Sequence, residues 1–375
     1  MSDAIHPIVM PKWGLAMQEG MLASWHVAEG QEVQKGQEIA DIETSKIANA
    51  FESPVAGLLR RRLVGEGETV PVGALLAVVA DASVADDAIE AFVADFQASF
   101  AAAAAEASVA GGPEPELVEA GGRRLRYLKL GEAAGVPVLF IHGFGGDLNN
   151  WLFNQPVLAE KRATYALDLP GHGGSVKEVG EGDVGALTSA VVDFMDALGI
   201  QKAHLVGHSL GGAVSLDMAL NHPERVASVT ALASGGLGPE ISMAYIDGFI
   251  QTSRARKLKP ILQMLVHDPS LVTNDMVEDV LKFKRLDGAE AALNKIASAA
   301  FAGGQQALQL TGKLGEIEAP VRVIWGKEDR ILPVGHAEGL PNGIEVTVLE
   351  GAGHLVHMEK AHEVNDLIAA MLDRS

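Results

Sequence analysis

A segment near the start of the chain repeats at a spacing of 37 residues. Glu29-Gly30-x-x-Val33-x-x-Gly36-x-x-Ile39-Ala40 returns as Glu66-Gly67-x-x-Val70-x-x-Gly73-x-x-Leu76-Ala77. Each copy reads as a glycine turn, a short strand, a second glycine turn and a second strand. Two such copies predict a small flattened β-barrel or sandwich with quasi-twofold symmetry over residues 1–80. Between them runs Asp41-Ile42-Glu43-Thr44-Ser45-Lys46-Ile47-Ala48, with Pro54 and Gly57 closing the turn that follows. The pattern puts Lys46 at the tip of a tight hairpin. A rigidly displayed amine there suits enzymatic modification.

Pro11-Lys12-Trp13-Gly14, Met17-x-Glu19-Gly20, Trp25, Glu43-Thr44-Ser45-Lys46 and Gly57 extend the pattern, with Gly57 eleven residues past the lysine. On these residues, positions 3–80 resemble a lipoyl domain. The resemblance implies that Lys46 is the N6-lipoyllysine and that lipoate is a covalent cofactor. The related biotinyl domains flank their lysine with methionines, whereas Ser45 and Ile47 stand here and favour lipoate. Aspartate is the more usual residue before a lipoyl lysine, and Ser45 departs from it. The bland alternative is an unmodified β-domain with a surface lysine.

Residues 81–120 hold nine acidic residues and no Lys or Arg, −9 of the chain's net −20. That block reads as a solvated acidic linker, placed at 81–115. Within it Ile89, Phe92, Val93, Phe96 and Phe100 fall on one stripe of a helix, and Asp86 and Asp87 suit its N-terminus. Gly111-Gly112-Pro113 ends it. The stripe packs on one of the chain's own domains, or it serves oligomerisation or partner docking.

From residue 116 onward, short apolar runs alternate with helical patterns. The runs are Val138–Ile141, Ala163–Leu167, Ala203–Val206, Ser228–Leu232, Val321–Trp325 and Val346–Leu349. Such alternation predicts a mostly parallel sheet with helices on both faces, its ligands lying beyond the carboxyl ends of the strands. Motifs fall at those ends. Gly207-His208-Ser209-Leu210-Gly211 follows one run and precedes a helical pattern, the context of a nucleophile elbow. A serine hydroxyl needs a neighbouring base. His354 is the candidate base and Asp329 the candidate orienting acid, with His357 and Glu328 as adjacent competitors. Backbone N–H groups of Leu210 and Phe144 are the candidate oxyanion hole. His172, in Asp168-Leu169-Pro170-Gly171-His172-Gly173, reads as a turn residue.

These motifs, in this order, resemble the α/β-hydrolase superfamily over residues 116–375. A helical insertion at about 238–312 takes the position of a lid. It clusters Arg254, Arg256, Lys257 and Lys259, which either meet the phosphates of coenzyme A or line a solvated face. The expected fold is therefore multidomain: an all-β lipoyl domain joined to an α/β-hydrolase fold with a helical lid. That combination resembles the acyltransferase (E2) components of acetoin-cleaving dehydrogenase complexes. The resemblance implies acetyl transfer from the lipoyl arm to coenzyme A. It also implies a thiamine-dependent E1 and a flavoprotein dihydrolipoamide dehydrogenase (E3) as partners, and a homo-oligomer. Ordinary E2 domains carry His-x-x-x-Asp-Gly, but Asp247-Gly248 and Asp287-Gly288 both lack the upstream histidine. The transfer must then run on the hydrolase-like site. A serine esterase or C–C hydrolase riding on a lipoyl carrier is the competing expectation.

Composition narrows the rest. The chain has no cysteine, which removes disulfides, thiolate metal sites and a thiol nucleophile and fits a reducing cytoplasm. No metal site is expected. A net charge of −20 argues against nucleic acid. No apolar run reaches the ~18–20 residues of a membrane span, and no signal-peptide pattern opens the sequence.

Overall fold

Eight short strands fold the first part of the chain into two four-stranded sheets. They are β1 (Ile5–Val9), β2 (Glu19–Trp25), β3 (Glu32–Val33), β4 (Glu38–Glu43), β5 (Ala48–Glu52), β6 (Gly57–Arg62), β7 (Glu68–Pro71) and β8 (Leu75–Ala80). The computed structural model describes residues 5–11, 19–43, 48–107 and 113–373. One sheet runs β1-β8-β6-β3 and the other β5-β4-β2-β7. The orders are related by the repeat: a shift of 37 carries β4 onto β8 and lays β2 over β6. Gly30 and Gly67 occupy matching left-handed turns at φ 83° and 81°, where a side chain is strained. Gly30 N–H donates to Leu59 O at 2.7 Å, and Gly67 N–H donates to Leu22 O at 2.7 Å. The core pairs up likewise, Leu22 with Leu59, Ile39 with Leu76 and Ala40 with Ala77, all fully buried. The repeat is thus the sequence trace of one supersecondary unit used twice.

Helix α1 (Asp86–Ala107) lies on the outer face of the first sheet. Ile89 is fully buried against Leu75, Val78 and Ala80, with Phe92, Val93 and Phe96 packed alongside. Arg60 on β6 ties its start down, donating to Asp81 O and Val84 O at 2.9 Å and to Asp86 Oδ1 at 2.7 Å. The apolar stripe therefore covers the chain's own sheet, and the N-terminal compact unit runs to Glu114.

The second unit, Pro115–Ser375, is built on one eight-stranded sheet. Its strands are β9 (Glu116–Ala120), β10 (Arg123–Leu130), β11 (Val138–Ile141), β12 (Thr164–Leu167), β13 (Ala203–His208), β14 (Val226–Leu232), β15 (Val321–Gly326) and β16 (Glu345–Leu349). Their order is β16-β15-β14-β13-β11-β12-β10-β9. β10 is antiparallel to β9 and β12, and the other pairings are parallel. Parallel strands need crossovers, supplied by α2 (Gln155–Ala159), α3 (Val184–Ala197), α4 (Leu210–Asn221) and a four-helix insertion. The insertion, between β14 and β15, holds α5 (Met243–Gln251), α6 (Ala255–Leu262), α7 (Asn274–Lys284) and α8 (Ala289–Ala300). Helices α9 (Val356–Glu359) and α10 (Ala361–Leu372) close the chain. Strands β11, β13 and β15 are buried at every position, as a sheet covered on both faces requires. After β11 the chain adds β12 on one side, then β13 on the other. The β11/β13 junction is thus the switch point at which such sheets bind ligands. Among the described residues no helix is long and apolar enough to cross a membrane, and no cluster of side chains has the makings of a metal site.

Candidate active site

Ser209 stands at the carboxyl end of β13, on that switch point. Its backbone sits at φ 54° and ψ −116°, a conformation that costs a non-glycine residue of order 1–3 kcal/mol. The glycines around it are obligatory. A Cβ on Gly207 would come within 2.2 Å of Gly211 O, and one on Gly211 within 2.1 Å of Ile141 O. The strained turn is pinned by Ser209 N–H to Leu232 O at 3.0 Å and by Gly235 N–H to Ser209 O at 2.8 Å.

His354 and Asp329 come from the loops after β16 and β15. His354 Nδ1–H donates to Asp329 Oδ2 at 2.8 Å, the two side chains being 3% and 0% exposed. Asp329 Oδ1 accepts from the N–H groups of Ile331 at 2.8 Å and Leu332 at 3.0 Å, so the carboxylate is held aimed at the imidazole. The adjacent competitors point elsewhere. Glu328 Oε2 accepts from Ala352 N–H at 3.0 Å. The His357 ring lies tilted against Trp151 and His208, ring centroids 4.8 and 4.6 Å away. The Ser209 hydroxyl makes no hydrogen bond within the described residues. Nucleophile–base contacts commonly tighten only around substrate.

One contributor was not singled out in the sequence. His208, between Gly207 and Ser209, donates through Nε2 to the backbone carbonyl of His354 at 2.9 Å. Their rings lie 4.7 Å apart. This bond couples the nucleophile turn to the base loop across 146 residues of sequence. Its only sequence signal is its place inside the elbow motif.

The loop after β11 closes the other side. A Cβ on Gly143 would lie 2.9 Å from Ser209 Cβ, so the loop presses on the elbow. The backbone N–H groups of Phe144 and Leu210 have no acceptor among the described residues, although these residues are 7% and 4% exposed. Backbone N–H groups left free of a protein acceptor next to a serine are the donors an oxyanion requires, which makes these two amides candidates for that role. The Phe144 ring meets Phe249 of α5 at 5.9 Å and Phe301 at 5.7 Å, which roofs the loop with the insertion. Ser209 lines a cleft together with Leu210, Ala213, Ile241, Leu308 and Leu332, among others. At the start of α6, Arg254 just before it and Arg256 and Lys257 within it are exposed, while Lys259 Nζ donates to Asn274 Oδ1 at 2.9 Å.

Burial keeps the surrounding imidazoles neutral. It lowers His142 to about 4 and His172 and His357 to about 3, and it holds His208 well below its ordinary value. His142 shows why: Leu169 N–H donates to its Nε2 at 3.0 Å, so that nitrogen must stay unprotonated. His172 is likewise a buried turn residue, with Nδ1 to Pro170 O at 3.1 Å. Unfolded, each ring binds its proton near 6.5. The unfolded state therefore holds more protons between 6.5 and 3–4, so stability is complete above 6.5 and falls with falling pH. For His142, His172 and His357 together the slope approaches about 4 kcal/mol per pH unit. Urea unfolding of the second unit from pH 7 to 5 checks this, and a flat midpoint would contradict it.

Lys46 lies outside the described residues. Its flanks are clear: Glu43 pairs with Ala48 in the antiparallel β4–β5 ladder, with residues 44–47 between them.

A family model described as alpha/beta hydrolase fold matches residues 136–361, and one described as biotin-requiring enzyme matches residues 6–79. Fold and site together define the class: an α/β-hydrolase-fold enzyme joined to a biotin/lipoyl-type domain. The chain is 48% identical, over 98% of both chains, to the dihydrolipoyllysine-residue acetyltransferase component of the acetoin cleaving system of Pseudomonas putida. The component of the same description from Cupriavidus necator is 43% identical over 98% of this chain and 97% of that one. The chain belongs to this family of acetyltransferase components of acetoin-cleaving systems, and it is an enzyme of that kind. The chain is also similar to a 2-hydroxy-6-oxononadienedioate/2-hydroxy-6-oxononatrienedioate hydrolase of Paraburkholderia phymatum, 31% identical over 67% of this chain and 92% of that one. A solved meta-cleavage product hydrolase of Pseudomonas fluorescens shares the fold, with TM-score 0.63 at 23% identity, covering 69% of this chain and 97% of that one.

Proposed function

We propose that the enzyme moves an acetyl group from a thioester on a Lys46 lipoyl arm to coenzyme A by way of an acyl-Ser209. The buried Asp329–His354 pair beside the strained Ser209 carries this reading. The arm supplies the acetyl group as a thioester; the position of Lys46 between paired strands fits its attachment. His354 Nε2 takes the proton from Ser209 Oγ as the oxygen attacks the acyl carbon. Phe144 and Leu210 N–H groups hold the oxyanion, and Asp329 stabilises the imidazolium without taking its proton. The carbon–sulfur bond breaks and His354 returns the proton to the leaving thiol. The acceptor thiol then gives its proton to His354 and attacks the acyl-serine, and Ser209 leaves with that proton.

The exposed cations of α6 suit the acceptor's phosphates. On this reading an E1 loads the arm and an E3 reoxidises the dithiol, in a cytoplasmic, homo-oligomeric assembly. The likeness to proteins described as hydrolases supports a second, hydrolytic reading, with water replacing the acceptor thiol. Supplying acetyl-dihydrolipoamide without coenzyme A is expected to leave acetyl on Ser209, seen by peptide mass. Adding coenzyme A discharges it to acetyl-CoA. Rapid discharge to acetate, indifferent to coenzyme A, would favour the hydrolase.

A further inference from the structure

We propose that the cleft beside Ser209 is an acyl pocket whose lid-side wall, Ile241 and Leu308, limits the transferred group to about the size of acetyl. This rests on the acyl-Ser209 reading.

The floor is fixed by backbone. Gly235 follows β14, and a Cβ there would meet Gln306 Oε1 at 3.1 Å, Ser209 O at 3.2 Å and Ala213 Cβ at 3.4 Å. The floor is already as close to Ser209 as atoms allow. Gln306 is the one polar side chain in the lining besides Ser209, and its amide is committed. Its Oε1 accepts from Gly236 N–H at 2.8 Å, and its Nε2 donates to Gly238 O at 2.7 Å and Glu240 O at 3.0 Å. The lining therefore offers no side-chain partner to the amides of a pantetheine-like arm or to a carboxylate. Only hydrocarbon enters without leaving a polar group unpaired.

Size makes the second restriction. The cleft has room for little more than one water-sized sphere. That is the room of roughly one water molecule or one methyl group. An acetyl methyl fills it, and the two further carbons of a butyryl chain require the wall to move. The floor residues Ala213 and Leu332 are 2% and 1% exposed and locked in the core. Ile241 and Leu308 are only half-buried and pack on that core from the segments flanking the helical insertion, so they set the limit.

The test compares acetyl- and butyryl-dihydrolipoamide as donors with the full-length enzyme and coenzyme A. The unaltered enzyme is expected to favour acetyl in kcat/KM by about 10-fold or more, the scale on which apolar pockets discriminate chain length. Leu308→Ala is expected to lower the acetyl-to-butyryl ratio by about 10-fold, and Ile241→Ala to shift it in the same direction. Leu308→Val gives a smaller shift of the same sign if the alanine variant folds poorly. Equal use of both donors by the unaltered enzyme would overturn the proposal, as would ratios unmoved by all three variants. If transfer persists in Ser209→Ala, the serine reading has failed and the pocket falls with it, a result separable from an unmoved ratio.

Discussion

Ser209→Ala is expected to lower coenzyme A-dependent acetyl transfer by on the order of 10⁴–10⁶-fold, the range found when a nucleophilic serine is removed from such a constellation. The loss is chemical, not structural. Alanine inherits the φ of 54° at no greater backbone cost, and the hydroxyl has no hydrogen bond within the described residues to forfeit. The melting transition should therefore be unchanged. His354 and Asp329 remain paired in the variant, and the oxyanion donors still bind a carbonyl, so donor binding should survive while turnover does not. The measurement is thiol release and acetyl-CoA formation at saturating donor. A variant retaining more than about a tenth of the rate would mean that the acceptor thiol attacks the thioester directly, with His354 as its base.

Lys46→Arg is expected to abolish transfer in the assembled system. Arginine keeps the positive charge, but its guanidinium stays protonated at any working pH and cannot be acylated by lipoate. Intact mass should show the unmodified chain. Free acetyl-dihydrolipoamide, at millimolar concentration, should still be processed by the variant. A tethered arm replaces diffusion with an effective concentration in the millimolar range, so supplying free donor at that level stands in for it. The idea would be sunk by an unaltered chain bearing no lipoate after expression in a lipoylation-competent host. Full overall rate in the arginine variant would sink it equally.

The patterns around these two positions were legible for related reasons. The 37-residue repeat could be read because turn glycines and alternating apolar residues answer to local backbone rules, and two copies of one unit must share them. Gly30 and Gly67 need the same positive φ, and a residue with a Cβ does not take it cheaply. The elbow was legible for a similar reason, since the Cβ of any other residue at 207 or 211 would collide with backbone. The helical stripe of α1 was legible as a helix, but not in its destination. Period says which face is apolar, whereas only the sheet β1-β8-β6-β3 says what covers it.

For side chains within a loop, the sequence singled out Asp329 and His354, which the structure pairs, while keeping Glu328 and His357 as competitors. Glu328 and Asp329 are neighbours of like chemistry, as are His354 and His357 at a spacing of three. Which pair meets depends on the turn geometry after β15 and β16, strands 19 residues apart in sequence and adjacent in the sheet. The His208 bond to the His354 carbonyl and the cleft closed by Ile241 and Leu308 join segments far apart in sequence, which no local pattern encodes. By itself the sequence determined the two units, the order of the strands along the chain and the residues that occupy their carboxyl ends, because periodicity and steric exclusion act over a few residues. Only the tertiary structure decided which of those residues face one another, which imidazoles burial keeps neutral and how little room remains beside Ser209. Those depend on distances between segments that the chain brings together only when it packs.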